Sequence, residues 1–157
     1  MPEPHTLHGA PPETLAALLD DPADHDHPYA ARLLVGLTPE QATHRFGAAH
    51  SIAEIVAHLN ANLRFNLALA EGVEAVPVGW PPVTASDWPA LADEHLTLLT
   101  RCVELAKTGD LDRVLFPATD SEPGWTLGYK LAASVAKHQS YHLGQIALLR
   151  RLLGMAQ

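Results

Sequence analysis

The sequence predicts an all-α fold, and three observations carry that expectation. Ala and Leu contribute 25 residues each while Val and Ile together contribute 12, a balance that favours helix because small and straight-chain residues lose little rotamer freedom there. Apolar residues recur at helical spacing through three long segments, and no stretch shows the two-residue alternation of a half-buried strand. The chain has 157 residues, 47% of them hydrophobic and 18% charged, which fits one domain, residues 1–157, around a single core and excludes disorder as the dominant state.

The elements follow in order. Residues 1–10 read as a loose lead-in. Pro11 and Pro12 open a short helix, Glu13–Leu19, with Leu15, Leu18 and Leu19 on one side. The run Asp20–Pro28 (DDPADHDHP) interrupts it, since proline and short polar side chains offer the backbone better alternatives, and helix resumes over Tyr29–Gly36. These two pieces read as one broken first helix. Ser51, with Glu54 three residues on, forms a capping-box signature for a second helix that runs to about Glu71, with Gly72 as its stop. Ile52, Ile55, Leu59, Leu63, Asn66 and Ala70 line its inner side, with Glu54, Asn60, Arg64 and Glu71 roughly opposite. A proline-rich connection, residues 73–86, precedes a third helix capped by Ser86 or Asp87 and running over about Trp88–Lys107. Its inward stripe is Trp88, Leu91, His95, Leu98, Cys102 and Leu105, and Gly109 ends it. A second long connection, Asp110–Trp125, leads to a last helix from Thr126 to Leu153. Four amphipathic helices of this kind predict a four-helix bundle. A linker of about 14 residues reaches roughly 45 Å when extended, so either long connection can cross the bundle.

Charge and composition narrow the function. Lys and Arg number 10 against 18 Asp and Glu, a formal net charge of −8, which disfavours nucleic acid as a partner. No apolar run approaches the ~20 residues of a membrane span, and the first ten residues lack the basic and apolar regions of a signal peptide. Cys102 is the sole cysteine, so the expectation is a cytoplasmic, reducing setting with no disulfide and no cysteine-based metal site.

The chemistry gathers in the histidines, of which there are ten. In KHQSYHLGQIALLRR, His138 and His142 lie four apart, which places both imidazoles on one helix face within reach of a single ion. Leu127, Leu131, Val135, Gln145 and Leu149 fall on the same face within about 60°. Both histidines thus occupy an inward stripe, where an unmet polar group costs about 1–3 kcal/mol. Either hydrogen bonds or a shared metal must satisfy them. His58, mid-way along the second helix, is the best third ligand, and His95 on the third helix is its rival. His5, His8, His25 and His27 fall in loops or tails and read as solvated, while His44 and His50 read as surface or capping residues.

The segment LLVGLTPEQATHRFGAAHSIAEIVAHL resembles the second-helix region of the DinB/YfiT-like family, and KHQSYHLGQIALLRRLLG is similar to that family's final helix. The resemblance covers about Leu33 to Gly154. It implies a four-helix bundle in up-down-down-up order with the crossover at residues 73–86, usually dimeric. It also implies a divalent metal held by three histidines, a role that falls on His58, His138 and His142. The broken first helix departs from relatives in which that helix is continuous, and can reshape the pocket mouth.

Three neutral imidazoles leave a divalent ion at least one open position, as in catalytic sites. The ligand type suits Zn, Ni, Fe or Cu. An open position can bind water or hold a thiol as thiolate. Glu54 is a candidate to orient His58, in competition with its capping role at Ser51. Asn62 and Gln145 are candidates to line the pocket. Tyr141 lies off the histidine stripe as a packing or interface residue, and Cys102 reads as a buried hydrophobe. From Pro123 onward there is no acid, only Lys130, Lys137, Arg150 and Arg151. Arg150 and Arg151 complement the helix dipole, and Lys137 is placed to attract an anionic substrate. The resemblance implies thiol chemistry, since some DinB/YfiT-like proteins are thiol-dependent transferases, so the leading expectation is a metal-dependent enzyme transferring a small thiol to an electrophile, with its catalytic residues beyond the ligands unassigned. The alternative is a non-catalytic metal- or small-ligand-binding protein of the stress-response kind. A purely structural dimerising bundle is the least favoured, because it gives core histidines no purpose. Val56, Leu63, Leu67, Tyr141 and Ile146 extend the apolar arcs beyond one core stripe, which predicts a homodimer.

Overall fold

The computed structural model describes residues 4–27 and 29–155. Residues 1–3 of the expected lead-in and Pro28 of the Asp/His/Pro run lie outside the described residues. The fold is predominantly helical. Two short helices, α1 (Pro12–Leu19) and α2 (Ala30–Leu34), replace the broken first helix, and a further turn, α3 (Pro39–Thr43), follows. The long helices are α4 (Ile52–Glu71) and α5 (Trp88–Thr108). The last helix is continuous but built in three parts: α6 (Leu127–Lys130), a wide π turn (Leu131–Ala136) and α7 (Lys137–Leu152).

Local chemistry sets the ends of α4. Ser51 Oγ accepts the Glu54 N–H at 3.2 Å while the Glu54 carboxylate accepts the Ser51 N–H at 2.8 Å. Gly72 then takes the left-handed conformation, φ 71°, which costs a glycine nothing. The start of α5 differs from expectation. Asp87 turns its carboxylate back onto the Thr84 N–H and hydroxyl at 2.7 and 2.8 Å. This closes a 3-10 turn, Ala85–Asp87, that feeds directly into α5, so neither Ser86 nor Asp87 caps that helix from in front. α3 was absent from the expectation, although Thr38 and Gln41 form a second capping box.

The predominantly helical fold agrees with the all-α expectation, with one small addition. Three short strands, β1 (Thr6–Leu7), β2 (Val114–Phe116) and β3 (Gly124–Thr126), form a sheet in the order β1-β3-β2. β1 runs parallel to β3 and β2 antiparallel to it. Strands of two or three residues are too short to show an alternating pattern. Thr6 and Leu7 of the lead-in are therefore anchored. Gly9 crosses so close to α6 that an added Cβ would lie 2.3 Å from the Gly128 carbonyl oxygen.

Two apolar clusters fill the interior. One joins Leu15 and Leu19 of α1, Leu63 and Leu67 of α4, Leu98, Leu99 and Cys102 of α5, and Leu131 and Val135 of the π turn. The other joins Leu33 and Leu34 of α2, the first two turns of α4, Trp88, and Ile146 and Leu149 of α7. The two halves of the broken helix largely serve different clusters, which gives the break a packing purpose. Arg150 is buried and its guanidinium donates to the Leu33 and Val35 carbonyls, both at 2.9 Å. It thus serves the open end of α2, beyond the complement to its own helix dipole that sequence suggested.

Val56, Leu63, Leu67 and Ile146 are buried within this one chain. These residues, expected to need a second copy as cover, find it in the two clusters; only Tyr141 of that set stays exposed. No helix among the described residues is long and apolar enough to cross a membrane.

Candidate metal centre

α4 packs against α7, and this contact brings His58 to His138 and His142. One ring nitrogen from each lies within 4.8 Å of the others. His58 Nε2 and His138 Nε2 are 3.1 Å apart. Two nitrogens bound at 2.0–2.1 Å to a tetrahedral ion sit about 3.3 Å apart, so the spacing of this pair already matches a shared ion.

The outer nitrogens decide which atoms face inward. His58 Nδ1 donates to the Gly79 carbonyl at 2.6 Å, and His142 Nδ1 donates to Gln145 Oε1 at 2.6 Å. With the proton held on Nδ1, each ring keeps its Nε2 lone pair for a metal. His138 Nδ1 is buried with no partner. Burial, reinforced by His142 and His58 nearby, lowers the His138 pKa to about 4. Burial likewise lowers that of His142, although its bond to Gln145 works in the other direction. Both rings are therefore neutral at pH 7, the state a ligand requires. Donor type, tautomer, protonation and spacing all fit a divalent transition metal.

The 73–86 connection builds one wall. Trp80 stacks on His58 with ring centroids 4.0 Å apart and planes 3° from parallel. On its other side His50 stacks at 3.7 Å and 7°. Tyr141 meets His142 edge-on at 5.0 Å, and Gln145 Nε2 donates to the Tyr141 hydroxyl at 3.4 Å. A cavity of about 490 Å³ opens beside this wall, lined by Ala61, Phe65, Val76, Pro77, Gly79 and Trp80 among others. The π turn ends at Ala136, two residues before His138; such wide turns shift the phase of the residues that follow.

The family profile described as the DinB superfamily matches residues 23–146. The chain belongs to the DinB superfamily. That match spans α2 through most of α7 and contains all three histidines. No curated protein matches the chain.

Other expected residues fall elsewhere in this DinB-superfamily chain. Glu54 does not reach His58. Its carboxylate serves the capping box and an ion pair with Arg45, which with the Ser51 N–H draws its pKa down to about 2 against the opposing effect of burial. The Gly79 carbonyl does the orienting instead. His95 is no ligand either. It is wholly buried, its Nδ1 2.8 Å from Asn60 Oδ1 and its Nε2 2.9 Å from Gln139 Nε2. Asn60, expected on the polar side, is buried with it and donates to the Leu91 carbonyl at 3.0 Å and Glu94 at 3.2 Å. Asn62 is half-buried on α4, and its backbone carbonyl accepts from Asn66 at 2.9 Å. Lys137 is exposed beside His138. Burial pushes the Cys102 thiol up to about 12, which leaves no thiolate for nucleophilic work near pH 7.

Sequence reasoning missed Trp80 and, in reading His50 as a surface or capping residue, missed its stack on that indole. The available signal was an aromatic between Gly79 and Pro81 in a linker, where a large apolar side chain has no helix face to bury against.

Proposed function

We propose that His58, His138 and His142 hold one divalent ion, zinc, nickel or iron, in an enzyme that transfers a low-molecular-weight thiol to a small electrophile. The single observation that carries the reading is the convergence of three imidazoles, two of them with Nδ1 protons fixed by Gly79 and Gln145. Held by three neutral ligands, the ion would keep its +2 charge and an open position that binds a thiol as its thiolate. His58, His138 and His142 supply the donors, and Trp80, which stacks on His58, offers apolar surface to the electrophile. The transfer balances when the new sulfur–carbon bond forms as that carbon's bond to its leaving group breaks. The leaving group departs with the electron pair, and the thiol proton passes to solvent. The proposed bundle follows the superfamily's up-down-down-up order, with residues 73–86 as the crossover. A reducing cytoplasm suits both the free Cys102 and a thiol substrate.

The test is metal analysis of protein purified without a histidine tag, then thiol consumption with an aryl halide, before and after chelation. One ion per chain and a chelator-sensitive loss of thiol, restored on reloading, are expected. One ion with no turnover for any thiol tried would leave the binding protein as the correct reading. No ion would overturn the site.

A further inference from the structure

The wall of the site comes from neither ligand helix, and its hydrogen bond and its parallel stack both fall on one ligand, His58. His58 receives a hydrogen-bond acceptor, the Gly79 carbonyl, and a parallel aromatic plane, Trp80, from adjacent residues of the 73–86 connection. The other two ligands share α7 and are placed relative to each other by helix geometry. His58 stands alone on α4, so its ring rotation about the Cα–Cβ and Cβ–Cγ bonds is fixed only by what touches it. An imidazole side chain turns about two bonds, and a carbonyl at Nδ1 restrains one direction. A plane stacked 4.0 Å away and 3° from parallel restrains the tilt out of that direction.

Trp80 is itself held from two sides. His50 covers its far face at 3.7 Å, and Pro81 and Pro82 follow it while Pro77 lies three residues before. Proline fixes its own φ and lowers the entropy lost when a loop orders. His142 meets the Trp80 edge at 5.9 Å, so the indole touches the rings of two ligands while offering no donor atom to an ion in line with them. Its side chain is 43% exposed, so the core does not need it, and its place is explained by the rings it covers.

We propose that Trp80 is a positioning residue, which with the Gly79 carbonyl fixes the plane and tautomer of His58 so that its Nε2 meets the ion. This rests on the metal reading above and goes beyond it in assigning the geometry of the centre to a loop. Partners of this kind set ligand orientation, and their loss costs metal sites about 10–100-fold in affinity. Phe at position 80 keeps an aromatic plane over His58, whereas Leu keeps apolar cover without one.

The experiment loads wild type, Trp80→Ala, Trp80→Leu and Trp80→Phe with Co²⁺. It reads affinity by competition with a chelator, and ligand geometry from the visible d–d absorption of the bound ion. Far-UV circular dichroism confirms that each variant is folded. Trp80→Ala and Trp80→Leu are expected to bind about tenfold or more weakly with an altered d–d band, while Trp80→Phe recovers most of the affinity and the wild-type band shape. Ala binding as tightly as wild type with the same spectrum would overturn the proposal. So would full rescue by Leu, because apolar cover alone would then suffice. Wild type that binds no Co²⁺ would instead overturn the metal reading on which this one stands.

Discussion

His95 offers a test in which titration and packing can be separated. Asn60 spends its side-chain N–H groups on Leu91 and Glu94, so its Oδ1 faces His95 and Nδ1 of that ring must be the donor. Nε2 is then left to accept from Gln139, which requires a neutral ring. Burial lowers the His95 pKa to about 4, against about 6.5 for an unfolded chain. The unfolded state binds the proton first as pH falls, so the contribution is intact above pH 6.5 and is lost as pH drops through 4. Linkage gives a loss of about 1 kcal/mol by pH 5.5 and about 2–3 kcal/mol by pH 4.5. His95→Gln keeps a donor for Asn60 and an acceptor for Gln139 but does not titrate. Imperfect geometry should cost that variant about 1–2 kcal/mol at pH 7.5. Urea denaturation in the presence of chelator, from pH 7.5 to 4.5, should therefore show two stability curves that meet or cross near pH 5. Curves that stay parallel over that range would refute the assignment of a neutral, buried imidazole to position 95.

Two further outcomes follow from the same structure. Because burial lowers the pKa of His138 and of His142, metal loading at pH 6 should displace fewer protons per ion than the roughly two that three unperturbed imidazoles would release; calorimetry in buffers of different ionisation enthalpy counts them, and a count of about two or more would contradict the burial of these ligands. Arg150→Met should remove both guanidinium bonds to the end of α2 and cost about 2–3 kcal/mol in denaturant midpoint analysis, with metal stoichiometry unchanged; a cost below about 0.5 kcal/mol would mean that those carbonyls find water instead.

The helical face of α7 was legible because His138, His142 and their neighbours obey one local period, and Ser51 with Glu54 announced the start of α4 within four residues. His58 was legible as the best candidate for the same reason, although periodicity left His95 as its rival. Deciding between them needed the α4–α7 contact and the sight of His95 spent on Asn60 and Gln139. Asn60 was misplaced because a wheel assigns polar residues outward, and the partners that make its burial tolerable come from α5. The sheet escaped because strands this short are stabilised by their neighbours rather than by their own pattern.

The sequence by itself determined the long helices, the Ser51–Glu54 cap and Gly72 stop of α4, and the pairing of two histidines on one face, all of which depend on residues within a turn or two of each other. The tertiary structure decided which third imidazole joins them, which nitrogen each ring turns inward, and that a proline-rich connection supplies Gly79 and Trp80 as the wall behind His58. Those outcomes depend on groups brought together across 21 residues from Gly79 to His58 and 80 residues from His58 to His138. Contacts at such separations are set by how the helices pack, and no local period encodes them.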